Sequence, residues 1–166
     1  MHVRAANLDD IDTIRKLFFE FWQTHNPDVP YDADHFLCFV RDNIGQPDFL
    51  ALLLGEDQGM LLAISTTSIF SPRKIAKEIV WFTRPRVRGH GMQLFRAMTV
   101  WAKMMGLEDI HCTLQEPNPV MERMGFITTE FGYIRPVNYR RTRGKAKLGP
   151  KKNLVQSVCA ERETPD

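Results

Sequence analysis

No stretch of this 166-residue chain reaches the ~18 consecutive apolar residues that a membrane-spanning helix needs. The opening MHVRAANLDD lacks the apolar core of a secretory signal, so the expectation is a soluble, cytoplasmic protein with no membrane partner. Cysteine is scarce. Cys38, Cys112 and Cys159 form an odd, scattered set without CxxC spacing, which suits reduced thiols rather than a disulfide framework. The five histidines, His2, His25, His35, His90 and His111, show neither HxxxH nor HExxH spacing, so no metal site is expected. Acidic residues are missing altogether between Asn138 and Lys152, where seven basic residues occupy a stretch with almost no apolar ones. Such a segment buries too little to offset its ordering entropy. It is expected to be a solvated, flexible extension, or a contact for nucleic acid or an acidic partner.

What remains is ordinary for a folded domain: 43% hydrophobic and 25% charged residues, enough chain for one core. The division expected is a domain over 1–136 followed by the basic tail, 137–166. Residues 2–6 read as a short strand. Asn7 then offers an N-cap with Asp10 three residues on, a carboxylate suited to the positive end of a helix. Ile11, Ile14, Leu17, Phe18, Phe21 and Trp22 recur at helical spacing, so 8–24 predicts an amphipathic helix. Prolines break it, and a second helix is predicted over about 33–44, closed by Gly45. The runs 48–55 and 59–70, joined by EDQG, predict a hairpin of largely buried strands, and 76–83 a further strand.

A long helix follows, with Leu94, Phe95, Met98, Trp101, Ala102 and Met105 on one stripe and Gly106 closing it. Then come a strand over 109–114, a short helical turn over 119–124 and a last strand over 126–134. The order is β-α-α-β-β-β-α-β-α-β. Hairpins in the first half imply antiparallel pairing, and 76–114 implies one parallel, right-handed crossover. The fold class is therefore a mixed α/β sandwich of the α+β type, with a mostly antiparallel sheet, and not a doubly wound Rossmann sheet.

The informative motif is RPRVRGHGMQLF, from Arg84 to Phe95. Gly89 and Gly91 stand between a strand and a helix, where unpaired N–H groups and the helix dipole favour an anion. Residues without Cβ let such a loop bend its amides together, and Arg86 and Arg88 add charge suited to phosphate. On these residues alone the loop is either a phosphate cradle or a plain strand-to-helix turn. It is no Walker loop, because no Gly-Lys-Ser/Thr follows, and it lacks the setting of a dinucleotide fingerprint. His111 and Cys112 are adjacent on a strand and point to opposite faces, which excludes a simple nucleophile–base dyad.

RVRGHG resembles the Arg/Gln-x-x-Gly-x-Gly/Ala signature of the GNAT N-acetyltransferase family, with Arg86, Gly89 and Gly91 at its three defining positions. The helix MQLFRAMTVWAKMMG, the turn ERMGF at 122–126 and the opening VRAANLDDIDTIRKLF are similar to the family's elements too, so the resemblance spans about 1–136. It implies the GNAT acyl-CoA N-acyltransferase fold and transfer of an acetyl group from acetyl-CoA to a primary amine of a small molecule, peptide or protein. The other outcome it leaves open is a weak or inactive GNAT-fold module anchored to nucleic acid or a larger assembly by its basic tail.

By that resemblance, the amides of Val87, Arg88, Gly89, His90, Gly91 and Met92, with Arg86, hold the cofactor's pyrophosphate. Phe82 and Thr83 end the strand that pairs with its pantetheine arm, and Asn118 resembles the asparagine near its thiol. The amine would enter past the 24–35 loop and the 126–135 strand. Glu78, in KEIVW, resembles the glutamate base of one branch of the family. Strict alternation puts it on the face of Val80 and Phe82, an apolar setting that raises a carboxyl pKa. Met121 occupies the usual position of the tyrosine acid and cannot donate a proton, which leaves Tyr133 or Tyr31 as candidates.

Overall fold

The structure is a computed structural model and describes residues 1–26, 30–68, 71–87, 89–113, 119–123 and 125–126. Strand β1 (Val3–Ala5) leads into a 3-10 turn (Leu8–Asp10) and helix α1 (Ile11–His25). The turn explains why the helix starts later than its apolar period suggests. The Asn7 side chain accepts from the Asp9 amide at 2.8 Å, and Asp10 accepts from the Asn7 amide at 3.0 Å. Arg4 grips the same Asp10 carboxylate through both terminal nitrogens, at 2.7 and 2.6 Å, and holds its pKa below the usual range.

Helix α2 (Ala33–Asn43) is capped by Asp32, whose side chain accepts from the His35 amide. Strands β2 (Phe49–Leu54), β3 (Gly59–Thr67) and β4 (Lys74–Thr83) form an antiparallel meander. A second 3-10 turn (Pro85–Val87), helix α3 (Gly91–Met104), strand β5 (Asp109–His111) and helix α4 (Pro119–Arg123) follow. Among the described residues the sheet order is β1-β2-β3-β4-β5, antiparallel throughout except for the parallel pair β4–β5. The mixed fold class and the single crossover read from the sequence are both present. Strand β4 begins at Lys74, two residues earlier than the sequence suggests, and β5 stops at His111. The strand expected over 126–134 and the tail 137–166 lie outside the described residues, apart from Phe126.

The sheet is covered on both faces, which is why FLALLL reads as an unbroken apolar run. Ala51 and Leu53 face α1 and α2 with Ile14, Leu17, Phe18, Leu37 and Val40. Leu52 and Leu54 face α3 with Leu94, Phe95, Met98 and Ala102. Each fully buried side chain of this size contributes roughly 1.5–3 kcal/mol. Among the described residues no helix is long and apolar enough to cross a membrane.

One irregularity sets the site. Leu62 lies opposite Val80, but Ala63 lies opposite Glu78, so Ile79 is an extra residue in β4, a β-bulge. Beyond it the alternation inverts. Val80 and Phe82 face α1 and α2, whereas Glu78 shares the α3 face of its partner Ala63. The expected placement of Glu78 beside Val80 and Phe82 is thereby corrected, because period-2 alternation does not survive a bulge.

Candidate active site

Strands β4 and β5 stay together for only three residue pairs, Ile75–Asp109, Ala76–Ile110 and Lys77–His111. From Glu78 to Thr83, β4 runs on without a β5 partner among the described residues, about 15 Å of strand edge. Where the ladder stops, a side chain takes over: the Thr113 amide donates to Glu78 Oε2 at 3.1 Å. Glu78 therefore sits in the crotch of two diverging strands. Burial pushes its pKa from the ordinary 4.5 up to about 7, against the smaller opposing effect of the Thr113 amide. The apolar setting and raised pKa expected of Glu78 are present, on the opposite face. Burial, with the nearby Glu78 charge, pushes the Cys112 thiol up to about 12, so it is a neutral packing group.

At the other end of that free edge, β4 hands over to α3. Gly89 has φ +92°, a left-handed conformation, with open space where a Cβ would stand. Gly91 serves a close approach instead. A Cβ there would lie 3.1 Å from Thr83 Cγ2 and 3.4 Å from Trp81 Nε1, so glycine lets the helix start close against the strand. His90 stands at the N-cap but makes no side-chain capping bond.

The loop amides divide into two sets. The Val87 amide donates to Arg84 O and the His90 amide to Val87 O, which ties both into the chain's own turn. The amides of Gly89, Gly91 and Met92 have no backbone acceptor among the described residues. Of the amides expected to meet a ligand from 87 to 92, those of Val87 and His90 are taken by the turn, that of Arg88 lies outside the described residues, and those of Gly89, Gly91 and Met92 stand at the positive end of a 14-residue helix, where an anion is favoured.

The remaining predicted residues fall as follows. Val87 and Met92 pack into the α3-side core, and the Phe82 side chain is buried on the other face, with its carbonyl beside Gly59 of β3. Thr83 lies between Gly59 and Gly91. Arg86 is exposed and donates through Nε to Gln58 Oε1 at 2.9 Å. Met121 is buried in the α3-side core. Tyr31 packs against Phe18, Phe19 and Trp22 on the α1–α2 side, and its buried hydroxyl has no partner among the described residues. The sheet separates it from Glu78, so the structure does not bring these two together. Arg88, Asn118 and Tyr133 lie outside the described residues. An open cleft of about 500 Å³ lies between Glu20 of α1 and Arg84, Pro85 and Arg86 just after β4, away from the parting of β4 and β5.

No protein-family model and no curated protein sequence matches this chain. Solved structures do. A predicted acetyltransferase with acetyl-CoA from Clostridium acetobutylicum superposes with a TM-score of 0.67 at 12% identity, covering 81% of this chain and 95% of that one. A GNAT family acetyltransferase of Staphylococcus aureus gives 0.60 at 14% identity, over 82% and 98% of the two chains. An acetyltransferase of Trypanosoma brucei gives 0.62 at 14%, over 82% and 99%. The chain has the GNAT acetyltransferase fold. Within this GNAT-fold chain the parted strands, the buried carboxylate and the glycine loop lie along one edge of β4.

Sequence reasoning missed the residues that hold the loop from outside. Arg84 bonds to Glu20 and Asp57, which lie 64 and 27 residues away. No local pattern marks such partners.

Proposed function

We propose that this protein is an N-acetyltransferase that takes an acetyl group from acetyl-CoA and delivers it to a primary amine of a small molecule, peptide or protein. One observation carries the reading: a buried carboxylate with a pKa near neutrality stands where β4 parts from β5, in line with an uncapped glycine loop at the end of the same strand. When bound, acetyl-CoA supplies an activated thioester. The chain's own residues do the rest. The Gly89, Gly91 and Met92 amides would hold the diphosphate, and the free edge from Glu78 to Thr83 offers main-chain partners to the arm. Glu78, with Oε2 pinned by Thr113, would take a proton from the incoming ammonium or amine, directly or through water. A pKa of about 7 leaves much of it ionised at neutral pH, so it can accept a proton there. Positioning alone can supply effective molarities of ~10⁵ M or more.

The test is release of free CoA thiol from acetyl-CoA by the full-length protein over a panel of amines. The expected result is amine-dependent release with a rate that rises through pH 7. It should fall roughly 10²- to 10⁴-fold in Glu78→Gln while acetyl-CoA still binds. Binding without turnover on any amine would favour a non-catalytic module, and absence of binding would refute the reading.

A further inference from the structure

Three segments far apart in the chain meet at Arg84, the first residue beyond β4. Its guanidinium donates to both carboxylate oxygens of Glu20 on α1, at 2.9 and 2.6 Å, and to Asp57 Oδ2 in the β2–β3 turn at 2.5 Å. Its backbone is fastened too: the Arg84 amide donates to Gln58 O at 3.0 Å, and Arg84 O accepts from the Val87 amide at 3.0 Å. Arg86 donates to the Gln58 side chain, and the Gln58 side-chain amide donates in turn to Asp57. Gly59 completes the seat. A Cβ there would lie 2.7 Å from Phe82 O and 2.8 Å from Thr83 Cγ2, so the start of β3 and the end of β4 touch at main-chain distance.

The exposures show what this knot is for. The Arg84 side chain is 18% exposed, whereas Glu20 and Asp57 remain 39% and 48% exposed. Carboxylates that open rehydrate readily when their partner is lost, so the pairs add little to global stability. What they fix is direction, because a planar fork bonded to three oxygens on two elements has one orientation.

We propose that Arg84 is a positioning residue for the cofactor loop: it braces the Pro85–Val87 turn against α1 and the β2–β3 turn, so that the Gly89, Gly91 and Met92 amides stand in their binding arrangement before a ligand arrives. This rests on the reading of that loop as the acetyl-CoA site. Preorganisation of this kind appears in affinity rather than in melting temperature.

The test is calorimetric titration of the full-length protein with acetyl-CoA, combined with amide hydrogen exchange. Arg84→Gln raises Kd about 3- to 30-fold. It moves Tm by no more than about 4 °C. The Val87 and His90 amides, now tied into the turn, exchange faster in the variant. Arg84→Lys keeps the charge but cannot span both carboxylates from one rigid group, so most of the loss persists. Arg15→Gln, which removes an exposed pair with Asp12, leaves Kd unchanged. An unaltered Kd in Arg84→Gln overturns the proposal, and so does full rescue by Arg84→Lys, which would assign the effect to net charge. Should Arg84→Gln fail to fold, Glu20→Gln and Asp57→Asn carry the test: a raised Kd in either supports the brace, and silence in both overturns it. If the unaltered protein binds no acetyl-CoA, the cofactor reading fails by itself. The exchange rates of Val87 and His90 then decide the brace: faster exchange in Arg84→Gln upholds it and unchanged rates overturn it.

Discussion

Replacing Glu78 by glutamine removes a charge from the crotch between β4 and β5 while keeping an oxygen for the Thr113 amide. The folded protein holds the Glu78 proton to about pH 7, whereas the unfolded chain releases it near 4.5. Below pH 4.5 the carboxyl is neutral in both states and burial costs nothing extra. Between 4.5 and 7 the unfolded state binds fewer protons than the folded one, so stability falls as pH rises, and it levels off above 7. A tenfold difference in proton affinity between the two states corresponds to about 1.4 kcal/mol, so the full cost of ionising Glu78 in place is about 3 kcal/mol. Glu78→Gln should therefore match the unaltered protein at pH 4 and exceed it by about 3 kcal/mol at pH 8, roughly 10 °C in Tm. Denaturant unfolding of both proteins from pH 4 to 9 measures the difference. The depressed Asp10 and Glu20 carboxyls pull the other way with pH but cancel in that difference, because both proteins carry them. A difference that stays flat across the range would mean that Glu78 is solvated in the folded state, and the argument for a neutral-pH base would fall.

Gly59→Ala forces a Cβ to within 2.7 Å of Phe82 O, so it should cost about 1–3 kcal/mol in chemical unfolding as the strands separate. Gly89→Ala meets no atom within 4 Å but must hold φ +92°. It should therefore cost about 1–2 kcal/mol of stability, or else release the loop and weaken acetyl-CoA binding, both visible in one calorimetric series. Met60→Ala, at a fully buried position facing α1 and α2, should lose about 2–5 kcal/mol with the pH profile unchanged.

The elements legible in the sequence are those that repeat a period. Ile11, Ile14, Leu17 and Phe18 mark α1, and Leu94, Phe95, Met98 and Ala102 mark α3, because each helix has one apolar face against a sheet. The glycine loop was legible because backbone freedom is a property of residue type: Gly89 takes a positive φ and Gly91 a close contact. The bulge at Ile79 was not, since an extra residue inside KEIVWF leaves it reading as one unbroken strand. Its effect was to reverse the face of Glu78. The Arg84 brace was equally hidden, because Glu20, Asp57 and Gln58 are ordinary surface residue types that only the folded chain gathers around the loop.

The most direct test of the central claim is a crystal structure of the full-length protein grown with acetyl-CoA. The account predicts the diphosphate on the amides of Gly89, Gly91 and Met92, the arm along the edge from Glu78 to Thr83, and the thioester beside the Glu78 carboxylate. Density for the cofactor elsewhere on the surface, with those three amides facing only water, would contradict it.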